Sequence, residues 1–309
     1  MRILFIGSSK IAIPSLDALL NHKYFFVKGI ISQPDKPAGR KKVITPTALT
    51  SYCNNCGLDV FKPLKIASDI ALDYVKKINP DLIVVVGYGQ FIPSTIINIG
   101  QFKSINLHPS ILPRYRGSTP IQNTLINGDK YGGVSIIEVT EKMDSGDIIM
   151  QKKVKILDDD DYFSLHEKLS KIGSQLLINS IEGIKENSIS KVSQNEESST
   201  YVSKILKSDG FINWNDSADN INNKIRAYVE WPGSYCILPD GKKLIVWKSR
   251  IENKSGIPGQ ILDEKLLIGT GKNSIRLLEV QKPGRNKIST EAFLNGYKVS
   301  INTKMLKDF

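Results

Sequence analysis

The alternation of short apolar runs with amphipathic segments over residues 1–110 is the feature that most constrains the fold of this chain. Leu82–Val86 is continuously apolar, which is typical of a strand buried on both faces of a parallel sheet. Ile66–Ile78 repeats its apolar residues at the helical period and ends before Asn79-Pro80, because the residue before a proline disfavours helix. The same patterns predict strands at Arg2–Gly7, Phe25–Ser32, Leu58–Phe61 and Lys103–Leu107, and helices at Ile11–Asn21 and Thr45–Cys56. We therefore predict a doubly wound α/β sheet for this part of the chain.

The pattern changes after residue 110. Gly133–Thr140 and Ile148–Ile156 are predicted to pair as strands, and Tyr162–Lys185 is predicted to be a long helix. Residues 187–200 are polar and rich in serine, which is the composition of a linker. After the linker we predict a helix at Ala218–Val229 and then short strands between glycine or proline turns, at Ser234–Leu238, Lys243–Ser249, Gly259–Leu262, Leu266–Gly269 and Ser274–Glu279. Such strands are typical of a small β-barrel or sandwich.

The charge of the chain is uneven along its length. The formal net charge is +11, and residues 207–309 carry 17 basic and 11 acidic side chains, about twice the net charge density of the rest. A lysine-rich composition alone identifies no partner, but this distribution is typical of a surface for an anionic polymer. The longest apolar run is too short to cross a bilayer, and the first residues do not resemble a signal peptide. We therefore expect a cytoplasmic protein with no membrane partner.

Three cysteines are too few for a disulfide framework. Cys53 and Cys56 form a C-x-x-C pair, but no second pair is present to complete a zinc site. A redox role of the thioredoxin type is the alternative to two reduced thiols on a helix, and we favour the reduced thiols. No metal is predicted.

Asn106 and His108 stand two residues apart at the end of a predicted strand. Residues i and i+2 of a strand share a face, so an amide and an imidazole are expected to point at one spot. Pro109, Pro113 and Gly117 then force the backbone into an irregular loop. Loops that follow strands are where α/β folds place their ligands.

A second tight loop supplies a carboxylate from Asp144 or Asp147. Either aspartate could cap a turn, because Asp-Ser-Gly is a typical turn sequence. Asp147 precedes an apolar strand and is the better cap, which leaves Asp144 to project into a cleft. An amide, an imidazole and a carboxylate together form an acid–base constellation. We therefore predict a site made of Asn106, His108 and Asp144.

Two further segments concentrate basic residues. Arg114 and Arg116 flank Tyr115 in a chain with few arginines, which favours anion recognition over a solvated loop. The long loop at residues 33–42 contains two prolines and the basic residues Lys36, Arg40, Lys41 and Lys42. A protruding basic loop suits contacts to phosphates. The first β–α turn lacks the G-x-G-x-x-G spacing, so a nicotinamide dinucleotide is poorly supported.

Several motifs occur together along nearly the whole chain: Gln33–Arg40, Asn106–His108, Ser110–Gly117, Pro120–Gln122, Asp144–Asp147, Arg226–Gly233 and Val246–Lys248. In this combination the chain resembles the methionyl-tRNA formyltransferase family of folate-dependent formyltransferases. The Asn-Leu-His motif with a later Asp-Ser-Gly-Asp is shared by all folate-dependent formyltransferases, so it identifies the chemistry. The loop at 33–42 and the C-terminal β-domain distinguish this branch.

The resemblance implies transfer of the formyl group of 10-formyltetrahydrofolate to the α-amine of methionine on initiator tRNA. The chemistry needs no metal, and we expect no obligate protein partner. The resemblance also implies a Rossmann-like catalytic domain at residues 1–186, a linker at 187–206, and an OB-like β-barrel at 207–309 that binds tRNA.

The resemblance also assigns roles by matching position. Asn106, His108 and Asp144 are implied to be catalytic. The residues implied to line the folate site are Ser110, Ile111, Leu112 and Pro113, with the turn Val86–Ile92 as its wall. The residues implied to contact tRNA are Arg40, Lys41 and Lys42.

Two other functions are compatible with parts of the sequence. The first is a formyltransferase that acts on a small amine, such as an amino-sugar nucleotide. The second is a non-catalytic RNA-binding protein built on the barrel, against which the presence of an amide, an imidazole and a carboxylate argues. Binding of a polyanion falls steeply with ionic strength, so salt dependence separates a tRNA substrate from a small one.

Overall fold

The structure is a computed structural model that describes residues 1–39 and 42–307. Arg40 and Lys41 of the predicted basic loop lie outside the described residues. The strands up to residue 202 are β1 (Arg2–Gly7), β2 (Phe26–Ile31), β3 (Lys36–Ala38), β4 (Val43–Thr45), β5 (Leu82–Val86), β6 (Ile105–His108), β7 (Arg116–Gly117), β8 (Tyr131–Glu138), β9 (Ile148–Lys155) and β10 (Tyr201–Val202). The helices are α1 (Ala12–Leu20), α2 (Ala48–Asn55), α3 (Asp69–Ile78), α4 (Ser94–Ile97), α5 (Pro120–Ile126) and α6 (Tyr162–Lys185).

A mixed sheet in the order β2-β1-β5-β6-β8-β9 forms the centre of the N-terminal unit. Its first four strands are parallel, and β8 and β9 add antiparallel pairs at one side. Every residue of β5 is buried, as its continuous apolar sequence predicts. The predicted parallel α/β sheet is thus confirmed.

Helix α3 shows how local sequence sets the elements that flank this sheet. The Ser68 hydroxyl caps its N-terminus by accepting a hydrogen bond from Ala71 N, and Asn79 ends it in the left-handed conformation. Ala71 and Val75 face the sheet, where they pack in one apolar cluster with residues of β1 and β5. An amphipathic helix therefore covers one face of the buried strands.

Helix α2 and the basic loop differ from their predictions. The sequence predicts a helix from Thr45, but α2 begins at Ala48, because the Thr47 hydroxyl caps it by accepting a hydrogen bond from Thr50 N. Residues before this cap form β4, which pairs antiparallel with β3. The predicted strand at Leu58–Phe61 is reduced to a single bridge between Phe61 and Ile31.

The C-terminal unit is built on an antiparallel sheet. Its elements are α7 (Ala218–Ala227), β11 (Ser234–Ile237), β12 (Lys243–Glu252), β13 (Leu267–Gly269), β14 (Ser274–Gln281), β15 (Ile288–Ser289) and α8 (Thr290–Leu294). The strand order is β11-β12-β14-β13, and β15 pairs with β14.

Isolated bridges extend this sheet toward closure. Ile261 pairs with Ile268 of β13, Gln260 pairs with Lys304, and Leu306 pairs with Ile237 of β11. The pairings therefore run from one edge strand back to the other, which gives the unit a barrel-like form. The predicted strand at Gly259–Leu262 is present only as these bridges. Side chains of the sheet, α7 and α8 fill the interior as one apolar cluster.

The chain divides into two compact units that interleave in sequence. The first, which we call the N-terminal unit, comprises residues 1–120, 131–155 and 166–202. The second, the C-terminal unit, comprises 121–130, 156–165 and 203–309. The predicted boundaries of the catalytic domain at residue 186 and of the tRNA-binding domain at residue 207 stay a prediction. Among the described residues, no helix combines the length and apolarity needed to span a bilayer.

Glu138, the last residue of β8, is a carboxylate buried within the N-terminal unit. Its side chain is 4% exposed and forms ion pairs with Lys191 Nζ and with Lys103 Nζ at 2.9 Å. Burial alone would raise the pKa of Glu138, but the hydrogen bonds from the two lysines outweigh it and lower the pKa below its usual value. The ammonium groups of Lys103 and Lys191, which are more exposed than Glu138, thus keep this buried carboxylate charged.

We expect Ile83→Ala to lower the free energy of unfolding by about 2–5 kcal/mol, because it leaves a cavity in the core beside β5. Ile83 is fully buried, whereas Ile70 of α3 is 72% exposed, so Ile70→Ala is the matched control. Urea denaturation measures both variants. Equal effects of the two substitutions would contradict the described core.

We expect Glu138→Gln to lower the free energy of unfolding by about 1–3 kcal/mol near neutral pH, because two lysines lose their partner. The folded-state pKa of Glu138 lies below the unfolded value. Its contribution is therefore present above the unfolded pKa, about 4.3, and is lost as the pH falls through the folded pKa. Urea denaturation from pH 7 to pH 3.5 should show the variant and the wild type converging at the acid end. Glu167→Gln, at an exposed pair with Lys171, is the control; a difference independent of pH would contradict this account.

Candidate active site

Strand β6 brings Asn106 and His108 to its carboxyl end. The two side chains contact the same carboxylate: Asn106 Nδ2 lies 3.3 Å from Asp144 Oδ1, and His108 Nδ1 lies 3.5 Å from Asp144 Oδ2. This placement confirms that the two residues share a face of the strand. The structure therefore brings together the three side chains that the sequence predicted to converge.

The loop between β8 and β9 presents Asp144 to β6. Asp144 adopts the left-handed conformation with φ at 49°, and its Oδ2 accepts a hydrogen bond of 2.9 Å from Gly117 N. Its side chain is 15% exposed, so the carboxylate remains accessible. Asp147 instead accepts a hydrogen bond from the Ser193 hydroxyl. Of the two candidate aspartates, Asp144 is the one that lies beside His108.

The hydrogen bonds of His108 define which ring nitrogen is available for chemistry. Nε2 lies 2.8 Å from the backbone carbonyl oxygen of Tyr115. A carbonyl oxygen only accepts, so Nε2 carries a proton. The neutral imidazole therefore has its lone pair on Nδ1, on the side of Asp144. His108 can take up or release a proton at Nδ1 without breaking its bond to Tyr115.

The segment Ser110–Pro113 uses its polar groups within the protein. The Ser110 hydroxyl donates to Arg114 O, and Leu112 N donates to the Ser135 hydroxyl. The backbone carbonyl of Leu112 accepts a hydrogen bond from Gln151 Nε2. Leu112 is buried, whereas Ile111 and Pro113 are half-buried. What this segment offers a ligand is therefore mainly apolar surface.

The turn after β5 offers polar backbone groups instead. In the described part of the chain, the backbone N–H and C=O groups of Gly89, Gln90 and Phe91 have no hydrogen-bond partner. Tyr88 O, just before them, accepts a hydrogen bond from Gln33 Nε2. The turn thus presents donors and acceptors of the kind that a polar heterocycle requires.

The prediction that Arg116 recognises an external anion is wrong. Arg116 is fully buried and pairs with Glu196 Oε1 at 2.9 Å. Its guanidinium also donates to Gln194 Oε1 and to the Tyr201 hydroxyl. Burial alone would lower the pKa of Arg116, but its hydrogen bonds to Glu196 and Tyr201 raise the pKa above the usual value. Arg114 lies over the ring of Tyr115 at 4.7 Å.

Sequence reasoning missed the partners of this arginine because they lie in the segment predicted to be a linker. Residues 192–202 contact the active-site loops: Val192 bridges Ile148, and β10 pairs in parallel with β7. Thr200 Oγ1 accepts a hydrogen bond from Tyr115 N at 2.8 Å. A polar, serine-rich run contains no signal for such contacts, because its partners are distant in sequence.

The basic loop and the C-x-x-C pair, which the sequence analysis also singled out, are distant in sequence from Asn106, His108 and Asp144. Lys42 is exposed with φ at 50°, and Lys36 Nζ lies 2.7 Å from Gln33 Oε1. Cys53 is buried and Cys56 exposed, both with free thiols, and burial raises the pKa of Cys53 to about 11. No group of three or more His, Cys, Asp or Glu residues within residues 1–39 and 42–307 is placed to hold a metal ion.

Comparison with solved structures supports the fold. HypX from Aquifex aeolicus superposes with a TM-score of 0.62 at 20% identity over 98% of this chain, although this chain spans only 52% of that one. WlaRD, a sugar 3N-formyl transferase, superposes with a TM-score of 0.66 at 22% identity over 93% of this chain and 99% of that one. At these identities the likeness concerns the fold alone.

Comparison of sequences identifies closer relatives. The methionyl-tRNA formyltransferase of Sulfurihydrogenibium sp. (strain YO3AOP1) is 40% identical over 98% of this chain and 99% of its own length. The methionyl-tRNA formyltransferase of Thermodesulfovibrio yellowstonii is 36% identical over 96% of each chain. Residues 1–181 match the family described as formyl transferase, and residues 204–298 match its C-terminal domain. The family predicted from the motifs is thereby confirmed, and this chain belongs to the formyl transferases.

Proposed function

We propose that this protein transfers the formyl group of 10-formyltetrahydrofolate to the α-amine of methionyl initiator tRNA. The observation that carries the proposal is the convergence of Asn106, His108 and Asp144 on one point in a chain of this family. Near-full-length similarity to methionyl-tRNA formyltransferases supports tRNA as the acceptor.

The three side chains match the proton and charge movements of formyl transfer. The attacking amine forms a bond to the formyl carbon and must lose a proton, and the nitrogen that leaves must gain one. His108 Nδ1 is the position from which a proton can be taken up and returned. Asn106 Nδ2 is a donor for the formyl oxygen, which gains negative charge as the amine adds. No covalent bond to the protein is required, because holding both reactants in place lowers the barrier.

Asp144 organises the other two groups. Its Oδ1 accepts from Asn106, and its Oδ2 faces His108 and accepts from Gly117 N. A carboxylate beside an imidazole stabilises the positive charge that forms when Nδ1 is protonated. We infer that Asp144 orients Asn106 and His108 and holds the protonated imidazole during transfer.

The folate co-substrate fits the chemistry of two neighbouring segments. When bound, 10-formyltetrahydrofolate supplies a formyl carbon that is already attached to a nitrogen able to leave. The backbone groups of Gly89–Phe91 have no partner in the described chain and suit the polar edge of a pterin. The half-buried Ile111 and Pro113 suit its apolar ring. We infer that these residues, with Ser110 and Leu112 supporting the turn, hold the folate.

The C-terminal unit and the basic loop are proposed to bind the tRNA. The barrel-like sheet and its excess of basic residues support an OB-like module that contacts RNA. In the loop at 33–42, Arg40 is proposed as the main contact, with Lys41 and Lys42 beside it. Lys42 is exposed in the turn of the β3–β4 hairpin, directly before β4, a position from which an ammonium can reach a phosphate.

We expect His108→Ala and Asn106→Ala each to lower kcat by roughly 10² or more, because each removes a proton-transfer group or a donor to the oxyanion. The KM for methionyl-tRNA should remain within a few-fold of the wild type. Initial rates with saturating 10-formyltetrahydrofolate measure both constants. His22→Ala is the matched control, since His22 stacks on Phe25 and pairs with Glu182. Near-normal turnover of either site variant would refute the assigned roles.

We expect Arg40→Glu to raise the KM for methionyl-tRNA at least fivefold and to leave the KM for the folate unchanged, because a phosphate contact is lost and a repulsive charge is gained. The slope of log KM against log salt should fall by roughly one for each contact removed. Lys23→Glu, an exposed site with the same change of charge, is the control. An unchanged KM for tRNA would refute the contact assigned to Arg40. A weak salt dependence in the wild type would favour a small amine, such as an amino-sugar nucleotide, as acceptor.

A further inference from the structure

Gln194 occupies a position between the buried arginine and the loop that carries Asp144. Its Oε1 accepts hydrogen bonds from Arg116 Nε at 3.1 Å and from Arg116 Nη2 at 2.8 Å. Its Nε2 donates to Asp144 O at 2.8 Å and to Gly146 O at 2.7 Å. Both hydrogens of the side-chain amide and both lone pairs of its oxygen are thus used. The orientation of the amide is fixed, because a guanidinium faces the oxygen and two carbonyls face the nitrogen.

Arg116 is in turn fully engaged. Its five N–H donors match five contacts, two to Gln194 Oε1, two to the carboxylate of Glu196 and one to the Tyr201 hydroxyl. Hydrogen bonds from Arg116 and Lys142 lower the pKa of Glu196 to about 2, so this carboxylate is charged at neutral pH. The arginine is a fixed support for the amide of Gln194.

The loop that Gln194 holds has a backbone conformation that needs support. Asp144 has φ at 49°, a left-handed conformation that is unfavourable for residues other than glycine. Gly146 packs against the backbone of Glu138, so closely that a Cβ at this position would lie 1.9 Å from Glu138 O. Gln194 binds the carbonyls on both sides of Ser145, which keeps the turn in the form that aims Asp144 at His108.

We propose that Gln194 is a positioning residue for formyl transfer, acting through the backbone of the Asp144 loop. The inference rests on the proposed catalytic role of Asp144. The side chain of Gln194 touches neither substrate nor His108 in this account. Its two donated hydrogen bonds set where the Asp144 carboxylate lies, and therefore how Asn106 and His108 are held.

Gln194→Glu tests the proposal directly. The glutamate keeps the oxygen that accepts from Arg116. Its second oxygen replaces the N–H donor to the carbonyls of Asp144 and Gly146 and places a negative charge against them. We expect kcat on methionyl-tRNA to fall tenfold or more, with the KM for tRNA and for 10-formyltetrahydrofolate each within threefold of the wild type. Gln194→Asn adds no charge, but its side chain is too short to reach both carbonyls. We expect a smaller fall in kcat, again with both KM values nearly unchanged. This variant tests the proposal if Gln194→Glu does not fold.

Asn195→Asp is the matched control. It adds the same charge at the next residue, and an aspartate can replace the asparagine oxygen that accepts from Glu197 N. Its kcat should equal that of the wild type. A loss in this control as large as in Gln194→Glu would overturn the proposal, because charge alone would then explain both.

A double-substitution cycle separates this inference from the function on which it rests. Asp144→Asn removes the carboxylate, and asparagine still tolerates the positive φ at this position. We expect this single variant to have a low kcat. If Gln194 acts through Asp144, adding Gln194→Glu to Asp144→Asn should lower kcat by less than threefold further. The positioning role would be overturned if the fold-losses in kcat of the two single variants multiplied in full in the double variant. It would also be overturned by a normal kcat for Gln194→Glu alone. A normal rate for Asp144→Asn alone would overturn the catalytic role of Asp144 itself.

Discussion

The site depends on one carboxylate that three groups share. Asp144 accepts hydrogen bonds from the amide of Asn106 and the backbone N–H of Gly117, and it faces the imidazole of His108. These contacts join the end of β6 and the neighbouring Gly117 of β7 to the β8–β9 turn, 27 to 38 residues further along the chain. Each segment is placed by the central sheet, so the geometry of the site follows from strand order and register.

The backbone takes part in this arrangement as much as the side chains. Tyr115 and Asp144 are both non-glycine residues with positive φ, and the backbone of each is hydrogen-bonded by a side chain from residues 194–200. The Tyr115 carbonyl in turn fixes the imidazole of His108. Strained residues persist where their surroundings over-determine them. Here the segment after α6 supplies those surroundings.

Local patterns in the sequence predicted much of this structure. The apolar run of β5 and the bounds of α6 follow from periodicity over a few residues, and the shared face of Asn106 and His108 follows from the two-residue period of a strand. The choice of Asp144 over Asp147 followed from turn chemistry. Where the sequence misled, the deciding interaction was distant. The sequence favours an external anion for Arg116 because its true partners, 78 and 80 residues away, lie in a segment whose composition is that of a linker.

The central claim is that this site formylates the amine of methionyl-tRNA. The most direct measurement is a competition in which the purified full chain and 10-formyltetrahydrofolate meet initiator methionyl-tRNA, free methionine and an amino-sugar nucleotide together, with the N-formyl products quantified by mass spectrometry. We expect N-formylmethionine on the tRNA as the main product. Formyl transfer to the amino sugar in preference to the tRNA, or no transfer to any amine, would contradict it.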